Sequence, residues 1–299
     1  MTTNDLIVLD GGMGKHLERS GAPFRQPEWS ALALLEDPDS VRQAHADFIA
    51  AGAGVVIANA YAVAPFHLGD ERFAERGFEL AELAGRLARE AVDASGRDVR
   101  VAGSLPPLFG SYEPSLFRPD EAPEMYDTLV GAQAPFVDLW IGETVSSIAE
   151  ARAIIAAVDR HDADAEVWIS YSVPDEDPGE RVDLRSGETI AEAVQAVHER
   201  TSAILFNCSP PEAITVALGL LHDALGEGSQ VRTGAYANAF PAKTEGYAAN
   251  EVTLGRRKDL SPGEYREMCD GWVAAGASII GGCCQMFPEH IEALAALNA

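Results

Sequence analysis

The stretch "IIGGCC", Ile279–Cys284, closes an apolar run with two glycines and two adjacent cysteines. Neighbouring residues on a strand point to opposite faces, so two adjacent sulfurs on a regular strand do not share one target. The run itself is short, apolar and bounded by polar residues, as a buried strand is. Similar runs precede it. Strands are expected at Leu6–Asp10, Val55–Tyr61, Val99–Leu105, Val137–Glu143, Glu166–Val173, Ala203–Cys208, Val231–Asn238 and Ser278–Cys283. Amphipathic helical patterns alternate with them, for example Val41–Ala51, Phe73–Ser95, Ile148–Asp159, Ile190–Arg200, Pro211–Ala224 and Ser261–Ala275. "LSPGEYREM" opens the last of these with a serine cap and a proline at the first position. Ser146 or Ser147 is the expected cap of Ile148–Asp159.

Eight apolar strands alternating with helices predict a single (β/α)8 TIM-type barrel. Parallel strands buried on both faces read as continuous apolar runs. A doubly wound open sheet is the alternative, but "DGGMGKHL" after the first strand does not fit GxGxxG. No linker composition divides the chain, so one domain over residues 1–299 is expected. Two connections after strands are long: "PPLFGSYEPSLFRPDEAP" after the third and "PDEDPGERVDLRSGE" after the fifth. Barrels carry their active sites on that face.

The net charge is −25, from 47 acidic and 22 basic side chains. Only Lys15, Lys243 and Lys258 are lysines. Such a surface repels nucleic acid and anionic membranes; it reads as a solvated acidic surface suited to high salt, or as a field that attracts cationic small molecules. The start of the chain lacks a basic, apolar signal pattern, and no apolar run reaches the ~18 residues of a membrane helix. A cytoplasmic protein, monomeric or a small homo-oligomer, is expected.

In a barrel, the polar residues at strand ends gather on one rim. These are Asp10, Asn59 with Tyr61, Glu143, Asn207 with Cys208, Asn238, and Cys283 with Cys284. Cys208 and Cys283 are 75 residues apart in sequence, so only the fold brings them together. Three thiolates and an open position make a catalytic rather than a structural zinc site, and zinc is favoured because it suits thiolates and has no redox chemistry. Bound metal would ionise a substrate thiol, whose ordinary pKa is ~8.5. Buried free cysteines or a vicinal disulfide are the alternatives. Cys269 falls in a helix pattern and reads as a core residue, whereas His290 reads either as a fourth ligand or as a capping and packing residue of the final helix.

"FNCSPPEAI", "GGCCQMFPEHI", "DGGMGKHLERSG" and "GETVSSIAEA", in the expected order from about Leu6 onward, resemble the zinc-dependent homocysteine S-methyltransferases. "AGSLPPLFGSY" and "DLRSGETI" agree with the family's looser segments. The resemblance implies a (β/α)8 barrel with one Zn²⁺ bound by Cys208, Cys283 and Cys284. It implies that Asp10 and Glu143 hold the amino group of homocysteine, with the backbone of Gly11 and Gly12 near its carboxylate. Asn207, Asn238 and Asn59 would support them or simply bond the barrel rim. The chain resembles the short members that take a methyl group from S-methylmethionine or S-adenosylmethionine. It lacks room for the folate and cobalamin modules of methionine synthases, and fifteen residues follow Cys284 where betaine-using relatives carry a long arm. Phe109, Tyr112 and Phe117 either face the sulfonium cation or anchor their loop.

Some positions depart from the family pattern. Lys15 replaces a usual threonine, "ANAY" at Ala58–Tyr61 replaces T-N-T-[YF], and Gln285–Met286 replaces Gly-Thr. They leave open another thiol or selenol acceptor such as selenohomocysteine, betaine as donor, or a zinc-binding barrel without catalysis.

Overall fold

The computed structural model describes residues 6–241 and 254–298; Lys243 lies outside them. Among the described residues eight strands form one all-parallel sheet: β1 Ile7–Val8, β2 Val55–Ile57, β3 Arg100–Leu105, β4 Leu139–Val145, β5 Val167–Tyr171, β6 Ala203–Asn207, β7 Arg232–Ala237 and β8 Ile279–Gly282. The order is β1-β8-β7-β6-β5-β4-β3-β2. The ends meet through a parallel bridge between Leu9 and Val55. There Gly54 N–H donates to Val8 O at 2.8 Å and Asp10 N–H to Val55 O at 3.1 Å. The result is the expected (β/α)8 barrel.

The helices are α1 Met13–Arg19, α2 Ala31–Glu36, α3 Pro38–Ala50, α4 Pro65–Leu68, α5 Asp70–Ser95, α6 Ala122–Gln133, α7 Ile148–His161, α8 Ile190–Val197, α9 Pro211–Leu225, α10 Pro262–Ala274 and α11 Pro288–Ala295. Their starts follow local chemistry. Ser147 accepts from Glu150 N–H to cap α7, and Ser261 and Glu264 form a reciprocal capping box at α10 with Pro262 in the first turn.

Alternation along the strands builds two cores. Leu9, Ala102, Leu139, Ile141, Trp168, Leu205, Tyr236 and Ile279 fill the barrel interior. The opposite faces, with Val8, Val101, Trp140, Ile204, Phe206 and Ile280, pack under the helices. Because both faces are apolar, the strands read as unbroken hydrophobic runs. Most are shorter than the sequence predicts, and the trimmed residues are chiefly those that leave the ladder to form the rim. The exception is β4, which runs on to Val145 through a register shift between Gly142 and Val145.

Candidate active site

Strand parity decides which rim residues point inward. Glu143 follows Leu139 and Ile141 at two-residue steps, Asn207 follows Ala203 and Leu205, and Cys283 follows Ile279 and Gly281. Cys208 and Cys284 have the wrong parity. Cys208 escapes it with φ 49°, a left-handed conformation that redirects the chain at the end of β6. Cys284 enters a turn in which Met286 N–H donates to Cys283 O at 3.0 Å and Gln285 takes φ 68°.

The chain therefore turns at Cys284 and Gln285, beyond the two glycines. Gly281 and Gly282 remain in β8 and serve close packing. A Cβ on Gly281 would lie 2.5 Å from Leu9 Cβ, and one on Gly282 would lie 2.4 Å from Met286 Cβ. Gly11 and Gly12 do the same from the other side, where added Cβ atoms would meet Met286 O and Cys283 O, each at 2.5 Å. Gly12 N–H is committed to Met286 O at 2.8 Å. The two glycine pairs thus press the end of β1 against the turn that carries the cysteines.

The sulfurs of Cys208, Cys283 and Cys284 lie within 4.8 Å of one another and are the group of three metal-ligating side chains among the described residues. Cys208–Cys284 is 3.8 Å and Cys283–Cys208 is 2.6 Å. None of the three is in a disulfide. Burial, and then the neighbouring sulfurs, push the Cys283 thiol well above its ordinary pKa. Three such sulfurs ionise together only beside a compensating cation. Tyr112, from the long loop after β3, donates its hydroxyl to Cys208 Sγ at 3.2 Å.

The sulfurs share a cavity, open to solvent, with Asp10 and Glu143. Ile57 N–H donates to Asp10 Oδ2 at 2.9 Å, and Ser104 Oγ donates to Glu143 Oε1 at 2.5 Å. Among the described residues neither carboxylate forms an ion pair. Burial chiefly, and the charge of Glu143 as well, raise Asp10 well above the ordinary carboxylate range. Burial lifts Glu143 to about 7.

The three asparagines separate. Asn59 lines the cavity and donates to Ser30 O at 3.2 Å. Asn207 lies behind it. Its Oδ1 accepts from Thr144 N–H and Ser170 Oγ, both at 2.8 Å, and its Nδ2 donates to Thr144 Oγ1 at 2.9 Å. Asn238 Oδ1 accepts from Phe240 N–H at 3.0 Å and so orients a residue of the cavity wall. His290 stands in the first turn of α11, where its Nδ1 accepts from Phe287 N–H, away from the sulfurs. Cys269 is fully buried in α10. Phe109 and Phe117 pack on each other, with Arg118 over the Phe109 ring at 5.0 Å, so these two rings anchor the loop.

Trp29, His67 and Phe240 also line the cavity, and none was singled out by the sequence. His67 Nδ1 meets Pro27 O at 2.8 Å, its Nε2 has no partner among the described residues, and burial lowers its pKa to about 4. Their connections follow α1, β2 and β7 without a motif, so only the folded chain identifies them. Lys15 is buried against this wall. Its ammonium pairs with Glu18 at 2.6 Å and sits 5.1 and 5.5 Å from the rings of Phe24 and Trp29.

A family profile described as homocysteine S-methyltransferase matches residues 7–297. The chain belongs to the homocysteine S-methyltransferase family. It is 30% identical to the homocysteine S-methyltransferase YbgG of Bacillus subtilis, covering 99% of this chain and 95% of that one. It is 25% identical to a selenocysteine methyltransferase of Astragalus bisulcatus, over 96% and 90%. Among solved structures, the metallated form of the Escherichia coli homocysteine methyltransferase MmuM superposes with a TM-score of 0.79 at 25% identity, covering 98% of this chain and 96% of that one. The chain is therefore a methyltransferase of a family that methylates homocysteine, a small-molecule substrate. Among the described residues no helix is long and apolar enough to cross a membrane.

Proposed function

We propose that this enzyme moves a methyl group from a sulfonium donor, S-methylmethionine or S-adenosylmethionine, to the sulfur of L-homocysteine, with one zinc ion held by Cys208, Cys283 and Cys284. The observation that carries this reading is the meeting of three thiols and two buried carboxylates in one cavity. The donor set fits zinc. The three sulfurs lie within 4.8 Å of one another, and soft thiolate ligands suit that ion. Three protein ligands match a catalytic site with one position for substrate. The metallated form of the Escherichia coli relative supports a metal here. When bound, zinc supplies the positive charge that keeps a thiol ionised below its ordinary pKa of ~8.5.

The chain's own residues do the rest. Asp10 and Glu143 accept the ammonium of homocysteine, and pairing with that cation returns both to the ionised form. The backbone of Gly11 and Gly12 lines the cavity near the acceptor's carboxylate, while their missing Cβ atoms let the cysteine-bearing turn close on the end of β1. Asn59 lines the same wall, Asn238 orients Phe240, and Asn207 supports the strand end that carries Glu143. Trp29, Tyr61, Tyr112 and Phe240 line the cavity, and aromatic rings suit a sulfonium cation. In the transfer, the donor's methyl–sulfur bond breaks and its electron pair stays on the donor sulfur as a neutral thioether. A lone pair of the acceptor thiolate forms the new bond, the thiol proton having left to solvent. Alignment of the two sulfurs supplies the rate through proximity.

Methyl transfer to homocysteine from S-methylmethionine, S-adenosylmethionine and betaine in parallel, with metal analysis, tests this. Methionine should form with a sulfonium donor, at one zinc per chain. Cys208→Ser, Cys283→Ser and Cys284→Ser should each lose zinc and activity while remaining folded. An active zinc-free triple variant, or turnover with betaine alone, would overturn the proposal. A selenol acceptor is the second reading, favoured by the similarity to a selenocysteine methyltransferase and by the departures at Lys15, Ala58, Ala60, Gln285 and Met286. Competition between homocysteine and selenohomocysteine at equal concentration separates the two.

A further inference from the structure

Tyr112 holds a backbone conformation that a bulky residue rarely takes. Its φ is 71°, in the left-handed region, and such outliers persist only where the surroundings fix them. Three contacts do so. Ser111, one residue before, shares a 2.7 Å hydrogen bond with Tyr61 at the end of the β2 rim. Arg185 places its guanidinium 4.7 Å from the centre of the Tyr112 ring. Arg185 is itself locked, since it pairs with Asp175 at 2.6 Å in a nearly buried ion pair and donates to Ser172 Oγ at 3.1 Å. The two long loops, after β3 and after β5, therefore meet on this one ring. The ring's far end delivers its hydroxyl to Cys208 Sγ at 3.2 Å.

The charge balance gives that hydroxyl a task. Three thiolates around a divalent ion leave a net negative cluster, and Asp10 and Glu143 add two more acidic groups to the same cavity. A donor to a charged acceptor is worth more than one to a neutral acceptor. Groups that hydrogen-bond to metal ligands orient them and tune the metal.

We infer that Tyr112 is a positioning residue for the metal site: its hydroxyl fixes the Cys208 sulfur and bears part of its negative charge, and Arg185 holds the ring in place to do so. The inference rests on Cys208 being a metal ligand, as in the proposed function, but not on which methyl donor is used.

The test reads metal binding, not turnover. Zinc affinity is measured by chelator competition on the full chain, and the sulfur-to-metal charge-transfer band is recorded on the cobalt(II)-substituted protein. Tyr112→Phe removes one oxygen and keeps the ring. It should weaken zinc binding by about 10- to 100-fold and shift the cobalt band, with circular dichroism unchanged. Arg185→Met should weaken binding in the same direction. The double variant should be no weaker than Tyr112→Phe alone, because both losses act through one hydroxyl. Should Tyr112→Phe fail to fold, Arg185→Met carries the test by itself. Zinc affinity within twofold of the parent and an unmoved cobalt band, in whichever variant folds, overturn the inference. A Tyr112→Phe protein that binds zinc weakly, from a parent that never methylates homocysteine, sinks the functional reading and leaves this one standing. A parent that takes up no zinc sinks both.

Discussion

Gln285 carries a left-handed φ of 68° in the turn that follows the cysteine pair. Glycine reaches that region freely, whereas a Cβ-bearing residue is strained there by roughly 1 kcal/mol. The family pattern places glycine at this position, so the departure visible in the sequence falls on a site with a backbone demand. The side chain returns little, since its Nε2 reaches Leu254 O only at 3.4 Å. Gln285→Gly should therefore stabilise the protein by about 1 kcal/mol, measured as a raised denaturation midpoint in urea. A lowered midpoint would mean that the side chain's tie to Leu254 outweighs the strain. The sequence exposed the substitution but not its conformation. The same holds for Cys208, whose identity as a candidate ligand was legible while the φ of 49° that aims its sulfur was not. Dihedral choices at rim positions are imposed by neighbours distant in sequence, and no local pattern records them.

Between elements, the junction of β4 and β6 shows what an asparagine at a strand end does. Thr144 is β-branched yet takes φ 59°, just past Glu143 in the irregular end of β4. Asn207 of β6 holds it there with two hydrogen bonds and takes a third from Ser170 of β5. All three residues are buried. Asn207→Leu would strand the Thr144 N–H, at about 1–3 kcal/mol. It should also raise the KM for homocysteine, because Thr144 can relax and carry Glu143 with it. Thr144→Gly added to Asn207→Leu should recover part of that KM, since glycine keeps the left-handed conformation without help. If the double variant binds homocysteine no better than Asn207→Leu alone, Asn207 does not act through Thr144. Strand parity accounts for the inward aim of Glu143, Asn207 and Cys283, which the sequence placed only on a common rim. That Asn207 would spend its amide on a backbone rather than a ligand depended on the bulge in β4, which has no sequence signature.

For the molecule as a whole, the eight alternating apolar runs were enough to predict the barrel, because parallel strands buried on both faces leave a pattern few other folds share. Buried ionisable groups outside the site left no such pattern, and they set how stability responds to pH. His45, in α3, is fully buried, and neither ring nitrogen has a hydrogen-bond partner among the described residues. Burial lowers its pKa to about 3 from an ordinary 6.5. Between those values the unfolded chain binds a proton that the folded one refuses, so stability falls as pH falls through that window. The slope is about 1.4 kcal/mol per pH unit. Glu150, in α7, behaves oppositely. It accepts from Ser146 N–H at 2.8 Å, but burial raises it to about 7 from 4.5. Here the folded chain keeps a proton that the unfolded one releases, so stability falls as pH rises from about 4.5 to about 7. The two slopes oppose each other between about 4.5 and 6.5. His45→Leu should remove the acid-side loss and also gain about 1–3 kcal/mol at neutral pH, where it replaces an unsatisfied polar group with an apolar one. Glu150→Gln should leave the acid side alone and gain up to about 3 kcal/mol at pH 8 relative to pH 4. Urea denaturation of the parent and both variants from pH 4 to pH 8 measures these differences. Parallel stability–pH curves for parent and His45→Leu would show that the imidazole escapes burial when protonated, and would refute the assignment.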